Sequence, residues 1–176
     1  NDPAKANCAS CHSLKAGSKG YPLFTDYSYR NIGTPKNPEN PFYDNIAYNP
    51  AGEAWVDTGL GGYLQTVLPE YAAAENGKMK VPTLRNVDKR PSATVVKAYG
   101  HNGYFKSLAD IVRFYAWRGM GGGCMGGGGM GGGGMGGGGM GGGGMGFPAP
   151  EVNDNLATLN PISCRDQSYL VTFLKT

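Results

Sequence analysis

Cys8-Ala9-Ser10-Cys11-His12 is the stretch on which the reading of this chain turns. Two thiols with two residues between them, followed at once by an imidazole, form a C-x-x-C-H sequence, which reads as c-type haem attachment. The spacing carries the chemistry. Thiols one helical turn apart can add to the two vinyl groups of a haem, and the next residue then places an imidazole under the iron. On this reading Cys8 and Cys11 become thioethers, His12 is the proximal ligand, and the cofactor is one covalent haem c.

Two other chemistries use a C-x-x-C pair, and neither suits this chain. A structural zinc site needs a second pair of ligands, yet the remaining cysteines, Cys124 and Cys164, lie far apart and the other histidine is His101. A thioredoxin-like dithiol needs a preceding βαβ pattern, and only seven residues precede Cys8. Covalent haem attachment takes place outside the bacterial cytoplasm, so the expected location is the periplasm or the cell exterior. The chain opens at Asn1-Asp2 with neither an initiator methionine nor a signal peptide, which reads as a processed or trimmed chain. In an oxidising compartment Cys124 and Cys164 make sense as a disulfide. Closing a loop of about 40 residues, it would contribute on the order of 4 kcal/mol by chain entropy. Two free thiols, or Cys124 as a metal ligand among methionines, are the alternatives.

The composition divides the chain. Glycine accounts for 31 of 176 residues, and the stretch 119–146 contains only glycine, methionine and Cys124. Its Met-Gly-Gly-Gly-Gly period of five is not that of collagen, which needs glycine at every third position. On a helix successive methionines would be rotated by about 140°, and on a strand they would alternate faces, so they cannot form one apolar stripe. The expected organisation is a single domain built from 1–118 and 147–176, with 119–146 as a low-complexity insertion. A net charge of +3 with scattered basic residues gives no nucleic-acid stripe, and no apolar run approaches a membrane span.

Helical signals sit at two places. Ser107 with Asp110 opens a capping-box-like start, after which Leu108, Ile111, Val112 and Tyr115 fall on one face, and the helix ends near Gly119. Ser163 with Asp166 opens a C-terminal helix in which Leu170, Phe173 and Leu174 share a face. A short helix over Ala4 to Leu14 is expected to carry the two cysteines. From Gly17 to Leu68 the chain is rich in Tyr, Asn, Pro and Gly and reads as turns and loop. Its tyrosines, Tyr21, Tyr27, Tyr29, Tyr43 and Tyr48, read as packing residues. The fold class is therefore mainly α, a cytochrome c-like haem domain with long irregular loops.

Several segments in order resemble the C-terminal haem domain of the bacterial di-haem cytochrome c peroxidase and MauG family. They are CASCH at Cys8, LFTDYSYRNIGTPKNPENPFY at Leu23, KVPTLRNV at Lys80, HNGYFKSLADIVRFY at His101, and FPAPEVNDNL followed by LVTFLKT. The resemblance implies that the sixth iron ligand follows the histidine of the HNG motif at a fixed distance, which is Tyr115 here. Met120, Met79 and His101 are rivals, in that order, because the family places that histidine near the haem without ligating it. A thioether would favour Fe(II) and raise the potential, whereas a phenolate would favour Fe(III) and lower it. Arg85 and Asn86 resemble residues that bond the haem propionates or nearby backbone. This chain departs from the family in having one C-x-x-C-H, a longer link between Val87 and His101, and the Met-Gly repeat after the ligand helix. If the chain is complete, the peroxide-reacting part is missing.

Three functions follow as expectations. The first is electron transfer through one six-coordinate haem to a redox partner protein, without catalysis. The second is a peroxidase or MauG-like oxidase, alone or with a second haem on a partner. The third is a role carried by the repeat, either copper binding through its thioethers or the ordering of a homo-oligomer.

Overall fold

The computed structural model describes residues 5–92, 94–95, 97–118, 147–154, 160 and 162–176. The repeat 119–146, and with it Met120 and Cys124, lies outside the described residues.

Among the described residues the architecture is mostly helical with little sheet. Strand β1 (Tyr29–Arg30) pairs antiparallel with β2 (Met79–Lys80), with Tyr29 opposite Lys80 and Arg30 opposite Met79. Between them lie single 3-10 turns at Pro41–Asp44 and Gly52–Ala54, then helices α1 (Leu60–Val67) and α2 (Pro69–Ala72). Helices α3 (Leu108–Arg118) and α4 (Cys164–Leu174) complete the order.

Both expected caps form. The Ser107 hydroxyl accepts the Asp110 amide at 3.1 Å and meets its carboxylate at 2.7 Å. At α4 the Ser163 side chain accepts the Asp166 amide, and the Asp166 carboxylate reaches back to the Ser163 amide, a complete capping box. The two helices pack together through two apolar groups that share Val171 and Leu174 of α4. In the first, Ala6, Val112, Ala116 and Ile162 are buried against Leu170, Val171 and Leu174.

The second group covers another side of α3. Phe105 and Phe114, each 1% exposed, gather with Tyr99, Leu108, Ile111 and Phe147. Their rings meet edge-on or tilted, 5.0 Å apart for Phe105–Phe114 and 5.2 Å for Phe114–Phe147, the arrangements aromatic quadrupoles favour. Because α3 is covered on two sides, Phe114 and Ala116 are buried beside Leu108 and Val112, while Ile111 and Tyr115 are half-buried. On α4 Val171 takes the core place expected of Phe173, which is 49% exposed at the flank.

Three other expectations are corrected. The helix foreseen over Ala4 to Leu14 is one 3-10 turn, Cys8–Ser10, because Asn7 adopts the left-handed conformation at φ 47° and no side chain caps the turn. The loop region ends earlier than expected, since α1 begins at Leu60 despite Gly61 and Gly62. Those glycines allow close approach: a Cβ at Gly61 would come within 2.6 Å of Asn76 Cα and 2.8 Å of Ala72 O. Of the five loop tyrosines only Tyr43 is buried. Tyr21 and Tyr27 lie under cations instead, Arg85 at 4.4 Å and Lys80 at 5.2 Å from the ring centroids.

Candidate functional site

The turn at Cys8 brings the attachment motif into register. The amides of Cys11 and His12 both donate to Cys8 O, at 3.3 and 2.9 Å, so His12 stands one turn after the first thiol. Cys8 and Cys11 are free thiols. The Cys8 thiol is pushed above its ordinary range, chiefly by loss of solvent around it and further by Cys11 beside it.

His12 Nδ1 donates to Phe24 O at 2.9 Å. A carbonyl can only accept, so the proton sits on Nδ1 and the lone pair on Nε2. The imidazole is thereby set in the tautomer that a metal ligand needs, with its other nitrogen held. Apolar side chains near it are left uncovered. Phe173 meets the Phe24 ring edge-on at 5.7 Å and is 49% exposed, and Leu14, two residues after His12, is 52% exposed. Two free thiols, an oriented imidazole and an uncovered apolar flank fit a covalently held haem.

The segment from Lys80 to Val87 backs this site. Thr25, buried, donates through Oγ1 to Val81 O at 2.7 Å, and its oxygen accepts the Tyr27 amide at 3.0 Å. Thr83 Oγ1 donates to Leu23 O, and Arg85 Nη1 reaches Pro22 O at 3.4 Å while its guanidinium stacks on Tyr21. Arg85 is thus brought to the loop that holds His12. Asn86 is exposed, with φ 58°.

The other expected residues fall in different places. Tyr115 is half-buried on α3, its ring 5.8 Å from that of Phe114. Met79 lies in β2 with its thioether against Gly59, where an added Cβ would stand 2.9 Å from the sulfur. Cys164 opens α4 and is not a free thiol. Among the described residues no group of three or more His, Cys, Asp or Glu side chains could hold a further metal, and no helix is long and apolar enough to cross a membrane.

His101 belongs to a second cluster that sequence reasoning missed. Its Nε2 donates to Glu151 Oε2 at 3.2 Å, and the Glu151 side chain is 2% exposed. Asn102 Nδ2 donates to the same oxygen at 2.9 Å and to Pro35 O at 2.8 Å, while the Asp57 amide reaches Glu151 Oε1 at 3.3 Å. The Tyr43 hydroxyl is held protonated nearby, by desolvation first and by the Glu151 charge second. Nothing in the sequence around Glu151 distinguishes it from a surface glutamate; its burial is created by loops from four parts of the chain.

No family model matches the chain. Over 110 residues it is 34% identical to the methylamine utilization protein MauG of Paracoccus denitrificans (strain Pd 1222), a match covering 62% of this chain and 24% of MauG. Among solved structures, the Y463M variant of the diheme peroxidase BthA from Burkholderia thailandensis E264 is 29% identical, with a TM-score of 0.49 over 64% of this chain and 24% of that one. The chain spans about a quarter of the length of each. Together with the ordered motifs above, the match to MauG makes the chain similar to part of the bacterial di-haem cytochrome c peroxidase and MauG family.

Proposed function

We propose that this chain is a redox domain that works through one covalently bound c-type haem, transferring electrons to or from a partner protein outside the cytoplasm. The observation that carries the reading is the His12 ring, whose Nδ1–H is fixed on Phe24 O one turn after a pair of free thiols. Cys8 and Cys11 would hold the haem, and His12 Nε2 would ligate its iron. The bound group supplies a one-electron iron couple. The chain's own residues orient the imidazole, leave Leu14 and Phe173 open as an apolar flank, and hold Arg85 beside it for the propionates, with Asn86 and His101 as further pocket candidates. The proposed organisation is one cytochrome c-like domain, 1–118 with 147–176, corresponding to the C-terminal haem domain of the family. A Cys124–Cys164 disulfide would fasten one end of the inserted repeat.

The sixth ligand is proposed to be Tyr115, with Met120 and Met79 as alternatives. The likeness to MauG favours a second reading, in which the chain is the electron-transfer part of a peroxidase or MauG-like oxidase whose other haem lies elsewhere. One experiment separates these. The haem-loaded chain is titrated with hydrogen peroxide: an unreactive ferric spectrum with a reversible one-electron couple supports electron transfer, and rapid formation of an oxidised haem species supports the enzyme. Failure of Cys8 and Cys11 to form thioethers during haem loading in the periplasm overturns both. A copper-binding or assembly role for the repeat is tested separately, by equilibrium copper binding and oligomeric state with residues 119–146 deleted.

A further inference from the structure

We propose that Phe173 is a positioning residue for His12: packed against Phe24, it holds the carbonyl that binds His12 Nδ1–H and so sets the donor strength of the imidazole toward iron. This rests on the haem reading above and assigns the tuning of that site to α4.

Phe24 sits in the left-handed region at φ 53°, a conformation that a β-carbon resists. Such a conformation persists only where its surroundings over-determine it. Here the neighbouring carbonyls are pinned by Thr83 and Arg85, and Thr25 is pinned by Val81. The Phe24 side chain itself is met edge-on by Phe173, at 5.7 Å and 81°. The outcome of this arrangement is one oriented acceptor, Phe24 O, 2.9 Å from His12 Nδ1.

The opposite flank of the attachment turn is tied to the same helix. Lys5 Nζ meets Asp166 Oδ1 and Oδ2 at 2.9 Å each, and Ala6 packs in the group that includes Leu170. Asp166, Leu170 and Phe173 are spaced i, i+4, i+7, one stripe of α4. That stripe therefore grips the chain just before Cys8 and again at Phe24, whose carbonyl holds His12. A firm Nδ1–H bond to a carbonyl makes the imidazole more basic, which favours the ferric state. Loosening Phe24 should weaken that bond and favour the ferrous state.

The test uses the full chain loaded with haem, in four variants: Phe173→Ala, Phe173→Leu, Phe24→Gly, and Ser168→Ala as a control on the side of α4 away from that stripe, where Ser168 is exposed. Haem content, the midpoint potential, and the solvent exchange rate of the His12 Nδ1 proton by NMR are measured. Phe173→Ala is expected to keep its haem, to raise the ferrous-to-ferric ratio at fixed ambient potential about tenfold, equivalent to ~59 mV for one electron, and to speed Nδ1–H exchange by a similar factor. Phe24→Gly, which accepts the backbone conformation but lacks the ring, should change both quantities in the same direction. Phe173→Leu should give a smaller change, and it carries the test if the alanine variant fails to fold. Wild-type potential and exchange in haem-loaded Phe173→Leu and Phe24→Gly, or an equal shift in Ser168→Ala, would overturn the proposal while leaving the haem reading intact. A wild-type chain that takes up no haem overturns both.

Discussion

Replacing Glu151 by Gln tests whether the buried carboxylate fastens the loops of this fold. The glutamate accepts three hydrogen bonds, from the Asp57 amide on Oε1 and from His101 and Asn102 on Oε2. Glutamine has one acceptor oxygen and two new N–H donors. Turned to keep His101 and Asn102, it presents its NH2 group to the Asp57 amide; turned the other way, it loses two bonds instead of one. In the better orientation two bonds fall from charged-acceptor strength, ~1.5–3 kcal/mol, to neutral strength, ~0.5–1.5 kcal/mol, and a third is lost. The expected destabilisation is about 3.5–6 kcal/mol, a large share of a domain stability of ~5–15 kcal/mol. Urea unfolding of the haem-loaded protein, followed by circular dichroism at pH 7, measures it. A change below ~0.5 kcal/mol, the size typical of surface substitutions, would refute the argument that this carboxylate is buried and triply bonded. A double-mutant cycle with His101→Ala then isolates the His101–Glu151 bond. Additivity within ~0.3–0.5 kcal/mol would show that the energy resides in the Asn102 and Asp57 bonds instead.

Three further outcomes are expected. The Asp88 carboxyl is held below its ordinary range, first by the Tyr99 hydroxyl that donates to it at 2.8 Å and then by Arg90. A carboxyl depressed on folding contributes stability above its unfolded pKa and loses it as pH falls through the folded value. Tyr99→Phe should therefore flatten the decline of the urea midpoint below about pH 4, and an unchanged acid limb counts against the bond. Ser163→Ala removes the hydroxyl that caps α4 and should cost about 1 kcal/mol, lowering Tm by ~2–4 °C, with Ser163→Gly milder; equal effects from the two would count against the cap. Tyr115→Phe should abolish any phenolate-to-iron charge-transfer band in the ferric spectrum, and an unaltered spectrum moves the sixth ligand to Met120 or Met79.

What could be read from the sequence was local. The attachment turn and the caps at Ser107 and Ser163 each rest on residues two to four positions apart, so side-chain type and spacing are sufficient to announce them. The face of α3 was read in part: Leu108 and Val112 are buried as expected, but Phe114 is as well, because a second aromatic layer from Tyr99, Phe105 and Phe147 covers a side that a one-face pattern leaves open. Helix α1 was not legible because two glycines speak against a helix until Asn76 and Ala72 are seen to press on Gly61.

The site divides in the same way. The residue types that would bind haem stand together at Cys8, Cys11 and His12, where the motif reveals them. The group that orients His12 is a backbone carbonyl, which every residue carries, and no side chain marks the one at Phe24 as different. That choice follows from a left-handed backbone held by Thr83, Arg85 and Phe173, from segments 60 and more residues away. Glu151 likewise became a buried partner of His101 only when loops carrying Pro35, Asp57 and Asn102 closed around it. The candidate attachment residues are thus neighbours in the sequence. The orientation of His12, and the placing of the second titratable cluster, were decided by contacts between distant segments, which depend on the folded path of the chain.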